Sequence, residues 1–254
     1  MRHKMKKDYQ GKRAIIIGAS SGIGQQLARL LLRDGWQVGL AARRQAPLEQ
    51  LQQEFPDQVV CASIDVTDAS APESLGGLIE ALGGMELYLY ASGVGKQNIE
   101  LSPDIEEQTV QTNGLGFTRM VGAAYRYFAE RGHGHIAVIS SIAGVRGLGP
   151  APSYSATKAF QNIYIEALEQ QSNARGLSIR FTDIRPGFIE TDLLSGERYP
   201  HMMSVERASR LILQAIYKQK HVAYIDSLWH AAVWMMRCVP RMIWRHIKLN
   251  KTIG

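Results

Sequence analysis

Residues 13–24, Arg-Ala-Ile-Ile-Ile-Gly-Ala-Ser-Ser-Gly-Ile-Gly, carry a β-branched run directly into three glycines at positions 18, 22 and 24. The residues that follow, QQLARLLLRDG, repeat apolar side chains at helical spacing and stop at Gly35. A short apolar strand, a glycine turn and an amphipathic helix form the opening of a βα unit. The same alternation recurs outward from it. Strands are expected at 36–42, 58–64, 85–91, 135–140, 177–184 and 222–225, and helices at 46–55, 73–82, 104–130, 153–175 and 204–219.

The strands are short and continuously apolar rather than alternating, as they are when both faces of a sheet are covered. The expected fold class is therefore α/β, a single-domain Rossmann-like doubly wound parallel sheet of about seven strands with helices on both faces and right-handed crossovers. The chain of 254 residues, 45% apolar and 20% charged with 24 Gly and 9 Pro, is long enough for one such domain and shows no linker, repeat or low-complexity segment. Its 2 Cys, Cys61 and Cys238, have no metal-ligand spacing and predict reduced thiols of a cytoplasmic protein. The opening MRHKMKKDYQGKR has no apolar h-region, so no secretory signal is expected. The densest apolar stretch, 228–236, is about half a bilayer span and contains His230, which predicts a soluble chain.

The net charge of +6 sits at the two ends: residues 1–13 carry +5, residues 226–254 carry +4, and the body between them is −3. A nucleic-acid module would place a basic stripe across its folded body, so no nucleic-acid partner is expected. Charge at the ends suits solubility, an anionic membrane surface or an acidic partner.

Gly18, Gly22 and Gly24 between strand and helix would let the backbone approach a pyrophosphate, whose charge the helix N-terminus favours. The spacing is G-x-x-x-G-x-G, and a plain structural turn is the alternative. The same residues spell G-x-S-x-G around Ser20, a nucleophile-elbow pattern. An elbow on the first strand lacks an earlier strand and loop to supply the second oxyanion amide, so a serine hydrolase is the weaker reading. A dinucleotide here would place its adenosine ribose at the end of the second strand. Where NAD binding usually uses Asp or Glu, the sequence has Ala41-Ala42-Arg43-Arg44. Arg43, helped by Arg44, suits a 2′-phosphate, which predicts NADP(H) over NAD(H).

Tyr154-Ser-Ala-Thr-Lys158 places a phenol and an amine on one helical face. Composition alone gives about 0.4 chance matches to Y-x-x-x-K, so the pattern is weak by itself. Its chemistry is apt, because an adjacent ammonium favours the phenolate and moves the phenol towards working pH. Taken together, Gly18–Gly24, Asn113, Ser141, Tyr154, Lys158 and Pro186-Gly187 resemble the short-chain dehydrogenase/reductase family over about residues 12–225.

The resemblance implies a catalytic set of Asn113, Ser141, Tyr154 and Lys158, with no metal. Tyr154 would be the general acid for reduction, Ser141 would hydrogen-bond the carbonyl, and Lys158 would bind the nicotinamide ribose and lower the Tyr154 pKa. Asn113 would hold a water linking Lys158 to solvent. It implies cofactor contacts at Gly18, Ser20, Ser21, Gly22, Ile23 and Gly24 and at Asp65 and Val66. Further contacts fall at Ala91, Gly93, Tyr154, Lys158, Pro186, Gly187, Ile189 and Thr191, beside the arginines already named. Two departures concern scaffold support. Tyr90-Ala91-Ser92-Gly93 replaces the usual Asn-Asn-Ala-Gly, and Ile17 replaces a common Thr. A catalytically silent dinucleotide sensor or scaffold is the non-enzyme alternative.

This organisation divides the chain into a basic tail at 1–12, a catalytic dinucleotide-binding domain at 13–225 with a substrate lid at about 188–204, and a basic amphipathic extension at 226–254. In the lid region, Leu193, Leu194, Tyr199, Met202 and Met203 favour an apolar carbonyl substrate, acyl-chain or polycyclic, or else simple packing. The extension holds Trp229, Trp234 and Trp244, with Arg237, Arg241 and Arg245 every four residues and Pro240 expected to break the helix. It suits a homo-oligomer contact, packing on its own subunit, or peripheral contact with a membrane.

Overall fold

The computed structural model describes residues 12–191 and 201–248. Leu193, Leu194 and Tyr199 of the expected lid, nearly all of the basic tail and residues 249–254 lie outside the described residues. Seven parallel strands make one sheet in the order β3-β2-β1-β4-β5-β6-β7. They are β1 (Arg13–Ile17), β2 (Gln37–Ala42), β3 (Val59–Ser63), β4 (Leu87–Tyr90), β5 (His133–Ile139), β6 (Ser178–Pro186) and β7 (Val222–Ile225). The order reverses at β1, which pairs with β2 on one side and β4 on the other. In open parallel sheets ligands bind at the carboxyl ends of the strands beside such a reversal.

The run Ala-Ile-Ile-Ile of β1 feeds two cores at once. Ala14 and Ile16 face one, with Leu27 and Leu31 of α1 (Gly22–Arg33), Leu48 of α2 (Ala46–Glu54) and Ile212 of α7 (Val205–Tyr217). Ile15 and Ile17 face the other, with Leu75 of α3 (Ala71–Leu82), Phe117 of α5 (Phe117–Arg131) and Ile165 of α6 (Pro152–Ala174). Helices therefore cover both faces of the sheet, and its strands bury side chains in both directions.

The helix expected over 104–130 is interrupted. It runs as α4 (Pro103–Val110), a π-helical turn at Gln111–Gly116, and then α5. Gly116 in that turn lies against the loop after β3, where a Cβ would come within 2.8 Å of the Val66 carbonyl. Hydrophobic periodicity does not register one such widened turn, and π-turns concentrate at functional sites. After β7, α8 (Ser227–Cys238) ends before Pro240, which opens α9 (Arg241–Trp244). No helix among the described residues is long and apolar enough to cross a membrane.

Candidate active site

The loops leaving β1, β4, β5 and β6 meet at the carboxyl edge of the sheet. Gly18 has φ +89, and a Cβ there would lie 2.6 Å from the Ser92 amide nitrogen, so the first glycine loop presses against the loop after β4. Thr191 reaches the same loop, with its methyl 3.4 Å from where a Cβ on Gly22 would stand. The structure thus gathers the glycine loop, Ala91–Gly93 and Thr191 around one cradle. Of the two arginines after β2, it is Arg44 that bridges to the glycine loop, donating from Nη2 to the hydroxyls of Ser20 (3.2 Å) and Ser21 (2.9 Å). Arg43 uses its backbone carbonyl to accept from Ser63. Asp65 turns one carboxylate oxygen inward to Thr67, accepting from its amide at 2.9 Å and its hydroxyl at 2.8 Å. The Ser20 hydroxyl thus accepts from a guanidinium, which cannot serve as a base.

Deeper in the cleft, Ser141 caps a short 3-10 turn after β5 and accepts from the Ala143 amide at 3.0 Å. The half-buried Tyr154 phenol lies near enough to Ser141 for the serine to favour its charged form. Gly93 leaves room for two polar groups, because a Cβ there would stand 3.3 Å from Asn113 Oδ1 and 3.6 Å from Lys158 Nζ. Asn113 is fully buried in the π-turn, and its side chain clamps Val94, accepting from its amide (2.9 Å) and donating to its carbonyl (2.7 Å). Asn113, Ser141, Tyr154 and Lys158 therefore come together as one cluster.

The electrostatics of that cluster differ from the sequence expectation. Burial pushes the Tyr154 phenol above its ordinary value, with Ser141 opposing. Burial also lowers Lys158 to about 8, against the pull of the Asp183 carboxylate. Lys158 Nζ stands 5.8 Å from the Tyr154 ring centre and donates to the Ile139 carbonyl (3.1 Å) and Gln161 Oε1 (2.9 Å). Desolvation outweighs the opposing effect of Ser141, so the phenol is held as a neutral proton donor.

Pro186 ends β6 and Gly187 follows it, and buried Ile189 pairs with Met203 in an isolated parallel bridge. A cavity of about 410 Å³ beside α6 is lined by Val145, Leu148, Ala156 and Ala159 among others, but by neither Ser141 nor Tyr154. No cluster of three or more metal-ligating side chains occurs among the described residues.

A family model for short chain dehydrogenases matches residues 12–200. The chain belongs to the short-chain dehydrogenase/reductase family. An oxidoreductase of Myxococcus xanthus (strain DK1622) is 33% identical over 228 residues, covering 87% of this chain and 88% of its own. An NADP-dependent 3-hydroxy acid dehydrogenase of Escherichia coli O6:H1 is 29% identical over 189 residues, covering 73% of this chain and 75% of its own. A short chain dehydrogenase from Burkholderia cenocepacia J2315, solved in complex with NADP, matches with a TM-score of 0.81 at 21% identity, over 95% of this chain and 99% of that one. The structural likeness establishes the shared fold.

Several residues of this short-chain dehydrogenase/reductase carry little signal in the sequence. Asp183 and Arg185, both buried on β6, form an ion pair at 2.6 Å, and Asp183 also accepts from the Ser140 hydroxyl. Two charges at i and i+2 inside an apolar strand are the one signal that could have found them. Gln161, fully buried one turn after Lys158, offers only its helical spacing as a hint. The C-terminal extension bears on the site through residues far apart in sequence. Arg146, in the loop after β5, donates to the carbonyls of Met236 (3.1 Å), Arg237 (2.9 Å) and Val239 (2.8 Å) at the end of α8. Trp229 stacks edge-on to Phe188 at 5.3 Å and lies over Gly187. The described part of the extension thus packs on its own subunit and ties together the loops flanking the cluster. The same segment exposes Trp234, Met235, Met242 and Ile243.

Proposed function

We propose that the protein is an NADP(H)-dependent oxidoreductase that interconverts a carbonyl and a secondary alcohol on an apolar, acyl-chain or polycyclic, substrate. The observation that carries this reading is the half-buried Tyr154 phenol, beside Ser141 and one helical turn from the buried Lys158. The residues fit a dinucleotide: the cradle at Gly18 has no room for a side chain, and Arg44 stands over the loop. Gly18–Gly24 with Ser20, Ser21 and Ile23 would hold its phosphates. Asp65 and Val66 would flank the adenine, and Ala91, Gly93, Pro186, Gly187, Ile189 and Thr191 would line the nicotinamide side. When bound, the cofactor supplies the hydride. Tyr154 then donates its proton to the carbonyl oxygen, Ser141 orients that oxygen, and Lys158 fixes a positive charge beside both. Asn113 holds the Val94 backbone that faces them. No metal role enters this reading.

The test is oxidation of NADPH and NADH, followed by absorbance against small, acyl-chain and steroid ketones. Turnover supports the reading. Tight NADPH binding without turnover on any ketone would return the sensor alternative. Arg44→Ala is expected to raise the KM for NADPH about tenfold and leave that for NADH nearly unchanged, as loss of one charge-assisted phosphate contact requires. Steady-state titration of both cofactors checks this, and equal effects on the two would remove Arg44 from 2′-phosphate recognition.

The same proposal extends to the rest of the molecule. Exposed Phe160 and Ile163 on α6, with Val110 before the π-turn and Leu115 within it, favour a homo-oligomer. Free Cys61 and Cys238 favour a reducing, cytoplasmic location. Trp234 and Met242, exposed beside Arg237, Arg241 and Arg245, favour peripheral contact with an anionic membrane. Wild-type protein is expected to float with vesicles containing phosphatidylglycerol, less so at high salt, and the Trp234→Ser/Met242→Ser variant to stay behind. Equal behaviour of the two proteins would remove the membrane from the reading.

A further inference from the structure

Lys158 and Gln161 lie three residues apart on α6, on one helical face, and both are buried. Gln161 Oε1 accepts from Lys158 Nζ at 2.9 Å, and Gln161 Nε2 donates to the Asn113 carbonyl at 2.9 Å. The orientation of the amide is dictated by its neighbours. An ammonium offers only donors and a backbone carbonyl only an acceptor, so the amide oxygen must face Lys158 and the nitrogen must face Asn113. Asn113 is in turn fixed by its two bonds to Val94 and by contact with Thr157 Oγ1 at 3.3 Å. A continuous chain therefore runs from the ammonium through Gln161 to the π-turn and on to the 93–95 loop, where Gly95 packs against the Tyr154 ring.

We propose that Gln161 is the positioning residue for Lys158, setting where its ammonium stands relative to Tyr154 and joining α6 to the π-turn. A neutral carboxamide accepts and donates hydrogen bonds but does not take up and release protons as water does. The link from Lys158 to the Asn113 carbonyl thus holds charge in place without conducting a proton. This gives the π-turn a purpose that periodicity could not reveal: it presents the 113 carbonyl to a side chain on another helix. The proposal rests on Lys158 serving the reaction described above, but its first test does not depend on turnover.

The groups facing the ammonium come from several elements. Tyr154 stands on its own helix, β5 offers only the Ile139 carbonyl, and β6 brings Asp183, itself paired with Arg185. The π-turn and the 93–95 loop bring the neutral Asn113 and Gly93. Because Lys158 is held at about 8, a change of charge at position 161 is readable within the stable pH range.

The experiment is a pH titration of ¹³C-lysine-labelled protein without added cofactor. The Lys158 Cε signal is assigned by its loss in Lys158→Arg, and folding is checked by circular dichroism. Gln161→Glu places a carboxylate against the ammonium and is expected to raise the Lys158 pKa by about one unit or more, a tenfold gain in proton affinity. Gln161→Met removes both hydrogen bonds at similar volume and is expected to move it below the wild-type value. In turnover, Gln161→Met is expected to lose kcat about tenfold with the ketone KM nearly unchanged, and Gln161→Glu to carry its activity to higher pH. Titration of Lys158 at the wild-type pH in folded Gln161→Glu overturns the proposal. If Gln161→Met does not fold, the Gln161→Glu titration alone decides. Failure of every ketone to turn over would count against the reductase reading, whereas the role of Gln161 is still decided by the titration.

Discussion

Tyr154→Phe is expected to lower kcat for ketone reduction by about 10²- to 10⁴-fold while leaving NADPH affinity within about twofold of wild type. The substitution removes one oxygen and keeps the ring, which packs so closely on Gly95 that a Cβ there would stand 2.4 Å from Tyr154 Cδ2. What is lost is the proton donor beside Ser141. The wild-type pH dependence follows from two directions. The phenol is raised by burial, so it remains protonated and able to donate throughout the neutral range. Lys158 titrates at about 8, so its positive charge is present below that pH and lost above it. Reduction should therefore fall as pH rises through about 8, whereas alcohol oxidation, which needs the phenol deprotonated, should gain at alkaline pH. Initial rates from about pH 5, the lower end of the usual range of maximal stability, up through and beyond the Lys158 titration at about 8, for wild type and Tyr154→Phe, test both statements. A variant with kcat near wild type would assign proton transfer to another group.

The order of elements was legible because β1 states its environment twice over. Ala14 to Ile17 are apolar without alternation, and the structure buries them on both faces of a parallel sheet. Gly18–Gly24 predict a backbone approach to a pyrophosphate, and the packing of Gly18 against the Ser92 backbone adds a contact the motif does not state. Tyr154 and Lys158 were legible as a pair because helical spacing is local. What stayed hidden depends on contacts between distant residues. The Arg44 bridge to Ser20 and Ser21 joins the end of β2 to the glycine loop, a contact between distant residues that the pair Arg43-Arg44 does not specify. Periodicity ran straight through 104–130 and hid the π-turn that presents the Asn113 carbonyl. The phenol's raised pKa reflects burial, which a motif cannot report. Arg146 meets the end of α8 across about ninety positions, so its role became visible only when the chain was folded.

Asp183→Ala is expected to cost about 3–5 kcal/mol of stability, a large share of the roughly 5–15 kcal/mol available to a domain. The Asp183 carboxylate receives Arg185 Nη2 at 2.6 Å and Nε at 2.7 Å, and the Ser140 hydroxyl donates to its other oxygen. With its amide oriented to satisfy both ends, Asn162 adds a bond to the same carboxylate at 3.2 Å. Truncation leaves a buried guanidinium with the Tyr224 hydroxyl at 3.2 Å as its remaining side-chain partner. The penalty arises from that stranded charge rather than from the worth of the pair, and this distinction can be measured. Asp183→Leu/Arg185→Met, which replaces both charges with apolar volume, should recover most of the loss, as buried pairs exchanged for hydrophobic groups commonly do. Urea unfolding of wild type, Asp183→Leu, Arg185→Met and the double variant gives the coupling directly. A loss below about 1 kcal/mol in Asp183→Ala would mean that water or a neighbouring carbonyl takes over the guanidinium. The same variant also removes the one carboxylate that raises Lys158, so its reductase activity should fail at lower pH than wild type even where the protein is fully folded. Stability and the working pH of the site are thus coupled through a strand residue two positions before Arg185, itself beside the Pro186-Gly187 turn of the proposed nicotinamide pocket.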